Sequence, residues 1–353
     1  MNYQSNQKGV SLIELMITIT LSLLIIAGAI TLFISSKQSF RVQDSAGQMQ
    51  ENTRFSINYL AQTLRLADFW SGVEPANITV GTNSIAGISG AATCIASWIA
   101  NPTDGIHGYE GGSTPPIDCI ASADYVANSD MIAIRFLDPN SFTLPADLQS
   151  TAMANRNYVR ARVGLDGYLY KGSNYAAADS AIPAGNGVLN YEYDFQLLFL
   201  RPCDTKTAAT CSSTADNGKP IPTLVSLQLQ ADGTLAQVPL VDNVEQIQFE
   251  YGMDVDGDLV VDRYLKAGDA TYDKNGVQTS ATTDWSKIIS VRASIVVRGD
   301  ALDNFTDTKT YNMTSGFCYG PSSSTCAAKY TGFERYQRRL IVKDILIRNR
   351  IRQ

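Results

Sequence analysis

An uninterrupted apolar stretch near the start of the sequence constrains the fold more than any other feature. Residues 10–34 contain no Lys, Arg or Pro, and their one charged residue is Glu14. At about 1.5 Å per residue, a helix over this stretch is roughly 38 Å long, which is enough to cross a bilayer. The sequence therefore predicts one membrane-spanning helix that carries a single carboxylate.

Glu14 needs a partner in that setting. A lone carboxylate inside a spanning segment costs about 2.5–3.5 kcal/mol on insertion scales. No basic residue lies within the stretch, so a positive group on another subunit has to supply the pairing. If the chain is cleaved after Gly9, Val10 gains a new amino group. The amine of one subunit can then meet Glu14 of its neighbour in a staggered helical bundle.

The residues around Gly9 form a specific motif. The run Gly9-Val10-Ser11-Leu12-Ile13-Glu14-Leu15 resembles the class III leader of type IV pilins and pseudopilins, with Val10 where Phe is usual. The resemblance implies cleavage between Gly9 and Val10 by a prepilin peptidase on the cytoplasmic side. It also implies N-methylation of Val10 and a role for Glu14 in subunit assembly. The alternative is an ordinary secretory signal, but its apolar region is typically 7–15 residues, shorter than this stretch.

The helix is predicted to continue beyond the membrane. From Lys37 to about Phe69 there is no Pro, and apolar residues recur mostly at steps of three and four. These positions are Ala46, Met49, Ile57, Leu60, Leu64 and Ala67. We expect a leader at residues 1–9, a transmembrane half at 10–35 and an amphipathic half at 36–70. The amphipathic half needs a surface to cover it, and a sheet is the natural one.

Residues 71–353 are predicted to form a large β-rich region. Strand patterns occur at Met131–Leu137, Tyr158–Val163, Tyr168–Lys171, Val188–Leu200, Leu224–Gln230, Val244–Tyr251, Ile288–Arg298 and Leu340–Ile347. Asp166-Gly167 and Asp232-Gly233 are typical of hairpin turns. The Ala- and Gly-rich segment 172–187 suggests two subdomains, at about 71–175 and 188–353. The fold class is thus α+β, with the long helix packed on an antiparallel β-rich region, and the resemblance implies that it is type IV pilin-like.

Six cysteines fall into three pairs that are close in sequence: Cys94 with Cys119, Cys203 with Cys211, and Cys318 with Cys326. Six cysteines allow fifteen connectivities. Each neighbouring pair nevertheless brackets a loop rich in small and polar residues, which closes easily. We expect three local structural disulfides, in keeping with an oxidising compartment outside the cytoplasm.

An acidic segment offers oxygen ligands at regular spacing. Asp254, Asp256, Asp258 and Asp262 occupy positions 1, 3, 5 and 9, and the Val260 carbonyl is available at position 7. This pattern suits Ca²⁺. It departs from an EF-hand, since Leu259 and Leu265 stand where Gly and a bidentate Glu are expected. A solvated acidic turn without metal is the alternative.

Other functional classes find less support. The net charge of −6 argues against nucleic-acid binding by the whole protein. No catalytic motif is present, and the only histidine, His107, is expected in a surface loop, so we predict that the protein is not an enzyme. The sequence indicates no certain cofactor, and Ca²⁺ is the one candidate. Basic residues cluster near the C-terminus: Arg335, Arg338, Arg339, Lys343, Arg348, Arg350 and Arg352. These residues are expected either to bind an acidic partner subunit or to lie on an edge strand, where their charge opposes pairing with another strand.

Three segments of the sequence indicate a more specific resemblance. The first runs from Ser35–Gln38 to Gln50–Phe55 and is followed by Leu60, Leu64 and Arg65. The second is the strand 244–251, which leads into Asp254–Asp258. The third is the ending Ile347–Arg350. All three are similar to the PilW family of type IV pilus minor pilins. This implies a minor pilin that helps to initiate pilus assembly and is incorporated near the tip. Its partners would be other minor pilins, the major pilin, the prepilin peptidase, the inner membrane and a tip adhesin.

The implied location is the inner membrane, with a periplasmic domain, before assembly and the extracellular pilus afterwards. Two alternatives share the leader and helix. One is a minor pseudopilin of type II secretion, although the large β region favours the pilus. The other is an adhesive binding module at the tip, with loops at 72–125 or 300–335 contacting a ligand.

Overall fold

The computed structural model describes residues 9–82, 94–142, 153–302 and 306–351. Most of the predicted leader, residues 1–8, lies outside the described residues. Helix α1 spans Leu12–Leu66, 55 residues, or about 80 Å at 1.5 Å per residue. The prediction of one long N-terminal helix followed by a β-rich region is confirmed.

Helix α1 has two halves of different character. Every residue from Val10 to Ile34 is exposed. The second half buries one stripe against the rest of the protein, with the residues Ser45, Met49, Thr53, Ser56, Ile57, Leu60, Ala61, Thr63 and Leu64. Their spacing of three and four residues places them on one helix face. The amphipathic half of α1 thus packs against the rest of the protein, as predicted.

Sheet 1 has eight strands in the order β1-β5-β4-β6-β3-β2, with β7 paired to β6 and β8 paired to β7. The strands are β1 (Ile78–Val80), β2 (Ile106–Tyr109), β3 (Met131–Phe142), β4 (Asn157–Arg162), β5 (Asp166–Lys171), β6 (Val188–Arg201), β7 (Thr223–Leu229) and β8 (Leu235–Asp242). The β1–β5 pair is parallel and the others are antiparallel. Two short helices, α2 (Ala96–Ile99) and α3 (Tyr175–Ala181), lie in its connections.

Sheet 2 is antiparallel, with the order β10-β9-β13-β17. Its strands are β9 (Val244–Met253), β10 (Arg263–Leu265), β13 (Ile288–Leu302) and β17 (Tyr336–Leu346). Two small sheets accompany it: β11 (Thr271–Tyr272) with β12 (Gln278–Ser280), and β14 (Tyr311–Asn312), β15 (Cys318–Pro321) and β16 (Ala328–Tyr330).

The main core lies where α1 meets one face of each large sheet. Leu60 and Leu64 of the helix are fully buried there with Ile134 of β3, Phe249 of β9 and Ile295 of β13. Alternate residues of β3 and β6 face a second core on the other side of sheet 1. A third, smaller cluster covers the outer face of sheet 2 with aromatic residues of β14 to β16. Strands β3 and β6 therefore have buried apolar residues on both faces of sheet 1.

One hairpin turn differs from the sequence prediction. Asp166-Gly167 does not form a turn, because Arg162 pairs with Asp166 and the hairpin closes over residues 163–165. Gly164, at φ +75°, supplies the left-handed conformation instead. Segment 172–187 contains a 3₁₀ turn and α3, and it joins β5 and β6 within sheet 1. The suggested division into two subdomains stays a prediction.

The end of α1 is held by residues that follow the last strand. The Asn349 side-chain amide donates to the carbonyl oxygens of Arg65, Leu66 and Ala67, at 3.1, 3.3 and 2.9 Å. Arg350 Nε donates to Asp68 Oδ2 at 2.6 Å, and both residues are buried. We call these contacts of residues 349 and 350 the helix clasp. They satisfy carbonyl groups that a helix end leaves unpaired.

Three disulfides join the cysteines that neighbour each other in sequence: Cys94–Cys119, Cys203–Cys211 and Cys318–Cys326. The first lies beside α2, which is also held by Arg135. The guanidinium of this fully buried arginine donates to the carbonyl oxygens of Trp98, Ile99 and Asp104. The segment over the second core is thus fixed by a covalent bond and by a buried side chain.

Removing the Cys94–Cys119 bridge with two alanine substitutions is expected to lower the free energy of unfolding by about 2–4 kcal/mol. The bridge closes a loop with a sequence separation of 25, whereas Cys203–Cys211 spans only 8. A shorter loop restricts the unfolded chain less, so alanine at Cys203 and Cys211 should cost less. Urea unfolding of the two variants compares these losses. A larger loss for the shorter loop would contradict the expectation.

Candidate functional site: an exposed helix and an acidic loop

The first half of α1 forms a continuous apolar surface that contacts no other described part of the chain. Leu12, Leu24 and Phe33 are 77, 71 and 69 % exposed. The helix is long and apolar enough to cross a membrane by length and composition. An apolar surface of this size is not stable in water, so it requires either lipid or the helices of other subunits.

The hydroxyl side chains within this helical half are satisfied locally. The hydroxyl groups of Thr18, Ser22 and Thr31 donate to carbonyl oxygens three or four residues earlier, at 2.7–2.9 Å. In lipid, a hydroxyl without a partner costs free energy, and this bonding to the preceding turn removes that cost. The same half is therefore compatible with a bilayer.

Glu14 lies in the first turn of α1 and is exposed. Among the described residues, no cation forms an ion pair with it. The positive end of the helix dipole lies at this turn and favours a carboxylate there, but only partly offsets its charge. Gly9 and Val10 precede the helix in exposed positions. The predicted cleavage bond and Glu14, the predicted assembly carboxylate, thus lie together at the exposed end of the helix.

The acidic loop connects β9 to β10, and the structure brings three of its predicted ligands together. Carboxylate oxygens of Asp254, Asp256 and Asp262 all lie within 4.8 Å of one another. Asp254 is buried, and its two oxygens accept hydrogen bonds from the backbone N–H groups of Gly257 and Leu259, at 2.7 and 2.8 Å. These bonds shape the loop around Asp254.

Asp258 is not part of that group. Its Oδ1 accepts from Val260 N at 2.8 Å, so this carboxylate stabilises a local turn. Lys287 lies on the other side of the loop, with Nζ 3.3 Å from the Val255 carbonyl oxygen. Backbone donors and one ammonium group therefore offset part of the negative charge, as an acidic turn without metal would need. The predicted calcium site stays a prediction.

Calcium binding to this loop is expected to raise the free energy of unfolding by about 2.7 kcal/mol at a hundred times the dissociation constant. The measurement is the thermal midpoint of the purified protein in Ca²⁺ and in EGTA. Asp256→Asn, on an exposed ligand position, should reduce the calcium-dependent rise, and Asp44→Asn on α1 should not. A midpoint that does not respond to Ca²⁺ identifies the loop as an acidic turn.

Two of the basic residues near the C-terminus are internal rather than part of a surface patch. The side chain of Arg338 is fully buried, and it contacts Glu245 at 2.6 Å and Asp307 at 3.3 Å. Arg350 belongs to the helix clasp and pairs with Asp68. For these two residues the interpretation as a partner patch or an edge guard is wrong, because each neutralises a buried carboxylate.

Other basic residues of β17 do reach the surface. Arg339 and Lys343 are exposed, and β17 pairs only with β13 among the described strands. Exposed cations along an unpaired edge oppose the addition of another strand. The exposed positions of these two residues are compatible both with an edge guard and with a contact for an acidic partner.

A cavity that no sequence pattern predicts lies between β2 and the segment that precedes β13. His107 lies on β2 rather than in a surface loop, and its ring packs against Tyr109 and Trp285. The cavity also contains Glu110, and Tyr251 is buried beside it. These residues come from segments more than a hundred positions apart, and none is part of a motif. No local signal therefore connects them.

Comparisons with known proteins match two parts of the chain. The family described as Type IV Pilus-assembly protein W, PilW, matches residues 210–349. The prokaryotic N-terminal methylation motif matches residues 4–30. No curated protein and no solved structure matches. The first match covers the strands from β7 to β17, including the acidic loop, and the second covers Gly9, Val10 and Glu14. Together they support a type IV pilus minor pilin that is anchored by a single span.

Proposed function

We propose that this protein is a minor pilin that helps to initiate type IV pilus assembly and is incorporated at the pilus tip with other minor pilins. The observation that carries the proposal is the exposed apolar half of α1, which begins with the methylation motif and contacts nothing else in the described chain. Such a helix has two stable environments, the bilayer before assembly and a bundle of like helices afterwards. The β-rich region remains outside in both.

The chemistry at the N-terminus follows from the same arrangement. A prepilin peptidase cleaves between Gly9 and Val10 on the cytoplasmic side, and Val10 is then N-methylated. The new amino group of one subunit pairs with Glu14 of its neighbour. This pairing recovers the cost of the carboxylate in lipid, which is about 2.5–3.5 kcal/mol. Packing between the helices adds dispersion rather than hydrophobic transfer, because lipid is as apolar as leucine.

The disulfide-bonded β-rich region is the part that selects partners, which are other minor pilins, the major pilin and a tip adhesin. Before assembly it lies in the periplasm, and after assembly it lies on the extracellular pilus. A minor pseudopilin of type II secretion is the second candidate, since it shares the N-terminal motif and helix. The PilW match over residues 210–349 favours the pilus.

Deleting the gene tests the proposal. We expect surface pili and twitching motility to be lost, and a copy of the wild-type gene to restore both. Secretion of folded enzymes should be unchanged. Normal pili with secretion lost would assign the protein to the type II pseudopilus. Normal pili with only adhesion lost would assign it to the adhesive role.

A further inference from the structure

A cavity of about 510 Å³ lies where the second half of α1 meets the end of β13, within the size range of small-ligand pockets. Arg41 and Asp44 of the helix line one side, and residues 300–302 of the strand line another. The backbone N–H of Ala301 donates to Ser45 Oγ at 3.3 Å, so the end of the strand is held against the helix. The cavity is therefore formed by two long elements that pack on each other.

The direction of β13 places this cavity at the membrane-facing end of the β-rich region. The strand begins beside the helix clasp, where Ile347 N donates to the Ile289 carbonyl oxygen at 2.9 Å. It ends beside Ser45, which lies more than twenty positions before the last residue of α1. Strand β13 thus runs back along the helix towards the half that spans the membrane.

The height of the cavity above the bilayer follows from the helix. Arg41 is seven positions beyond Ile34, the last residue of the apolar stretch, or about 10 Å along the helix axis. The headgroup layer adds about 5–7 Å on each side of the hydrocarbon core. The apolar stretch of roughly 38 Å exceeds a core of about 30 Å, so the helix tilts and this height decreases. Lipid headgroups are therefore within reach of the long Arg41 side chain.

Four charged side chains at the cavity are exposed and have no partner among the described residues. Two are cations, Arg41 and Lys219, and two are anions, Asp44 and Asp300. None of their side chains forms an ion pair or a hydrogen bond with another described residue. The cavity thus offers two positive and two negative groups to whatever occupies it.

The remaining wall is aromatic and is fixed from inside the protein. The Arg298 guanidinium lies 4.9 Å from the ring centroid of Phe333 and 4.7 Å from that of Tyr336, and both rings line the cavity. The same guanidinium is buried, donates to the Pro220 carbonyl oxygen at 2.8 Å and approaches Glu245 at 3.6 Å. Aromatic side chains at this height suit the interface between membrane and water.

The charge pattern distinguishes between kinds of headgroup. A purely anionic group pairs with Arg41 and Lys219 but is repelled by Asp44 and Asp300, and a purely cationic group meets the reverse. A zwitterionic group satisfies both pairs. Phosphoethanolamine carries a phosphate and a primary ammonium with three N–H donors, whereas the quaternary ammonium of phosphocholine has no donor for a carboxylate.

We propose that this cavity binds the headgroup of a phosphatidylethanolamine in the membrane that holds α1. The phosphate accepts from Arg41 and Lys219, the ammonium donates to Asp44 and Asp300, and the acyl chains pass beside the exposed Leu302 into the bilayer. Binding fixes the β-rich region on the membrane surface before assembly. The inference rests on the single membrane span that the proposed function also uses.

The test is native mass spectrometry of the full chain, released from detergent micelles that contain lipids with identical acyl chains. The lipids are phosphatidylethanolamine, phosphatidylcholine and phosphatidylglycerol in equal amounts. We expect one phosphatidylethanolamine to be retained at least tenfold more often than either of the other two lipids, because charge-assisted hydrogen bonds contribute most to its binding. Lipids that surround the apolar helix without selectivity contribute equally to all three.

Charge-neutral variants separate the two halves of the site. Arg41→Gln combined with Lys219→Gln should lower the retention of phosphatidylethanolamine by about tenfold. Asp44→Asn combined with Asp300→Asn should shift the preference to phosphatidylglycerol, because only the cations remain. Arg54→Gln is the matched control, since Arg54 is exposed on the same helix and does not line the cavity. Equal thermal midpoints would show that all variants are folded.

Hydrogen exchange in nanodiscs supplies a readout at the position of the site. Peptides that contain residues 300–302 should exchange more slowly in phosphatidylethanolamine than in phosphatidylcholine. Peptides from the acidic loop should exchange equally in both lipids, because that loop lies near Arg350, at the far end of α1.

Three results would overturn the proposal. The first is equal retention of the three lipids by the wild-type protein. The second is unchanged retention in the variant at Arg41 and Lys219 with the protein folded. The third is a wild-type preference for phosphatidylglycerol, which would indicate a site for anions alone. None of these results bears on whether deletion of the gene abolishes pili, so the two proposals fail separately.

Discussion

Replacing Glu14 by alanine is expected to leave the protein folded in the inner membrane and to lower its incorporation into pili by about a hundredfold. Glu14 is exposed at the start of α1 and contacts no cation among the described residues, so its removal does not disturb the β-rich region. Under the proposed function, what is lost is the pairing with the amine of the neighbouring subunit. That pairing is worth about 2.5–3.5 kcal/mol in lipid, and each 1.36 kcal/mol corresponds to about a factor of ten.

Immunoblots of sheared pili and of membranes measure this effect. Glu51→Ala is the matched control, because Glu51 lies on the same helix with its side chain 67 % exposed and pairs only with Arg54. The control variant should enter pili as the wild type does. Equal incorporation of the Glu14 variant would remove the assembly role assigned to this carboxylate.

Replacing Arg338 by methionine is expected to lower the free energy of unfolding by about 3–5 kcal/mol. The substitution keeps an unbranched apolar stem but leaves Glu245 and Asp307 without their main cation. Both carboxylates are at most 4 % exposed. Arg298 approaches Glu245 at 3.6 Å and compensates only in part. Breaking a buried pair is costly because the remaining charge stays in a medium of low dielectric constant.

Urea unfolding, monitored by circular dichroism, measures the change in the free energy of unfolding. The neighbouring residue supplies the control, since Arg339 is exposed on the same strand and Arg339→Met should alter stability by less than about 0.5 kcal/mol. Adding Glu245→Gln to the Arg338 variant should recover part of the loss, because it removes one unpaired charge. Similar stability of the two single arginine variants would show that the buried pair contributes little.

Local patterns predicted the elements that depend on periodicity. Helix α1 ends at Leu66, a few residues before the predicted limit, where Asp68 adopts a left-handed conformation at φ +63°. Eight long strands lie within a few residues of their predicted bounds, because their alternating or continuous apolar residues face the buried cores. The long helix and its β-rich partner were therefore accessible from the sequence.

Contacts between residues that are far apart in sequence could not be predicted from local patterns. Glu245 and Arg338 are 93 positions apart, and neither lies in a pattern that identifies its partner. The Asp166-Gly167 prediction failed because Gly164, three positions earlier, satisfies the same conformational need. At the acidic loop, spacing predicted a common set of ligands. It did not show that Asp258 serves a separate turn, because backbone donors compete for each carboxylate.

The helix clasp has a consequence for the order of folding. Asp68 and Arg350 are 282 positions apart, and β17, which also packs on α1, precedes the clasp directly. Contacts over such separations form late, because the chain must first close a very long loop. The part of the amphipathic face of α1 that packs on β17, and the end of the helix, therefore stay uncovered until residues 336–350 have been synthesised. The helix made first is completed by the last strand of the chain, although β3, β8 and β13 can cover other parts of it earlier.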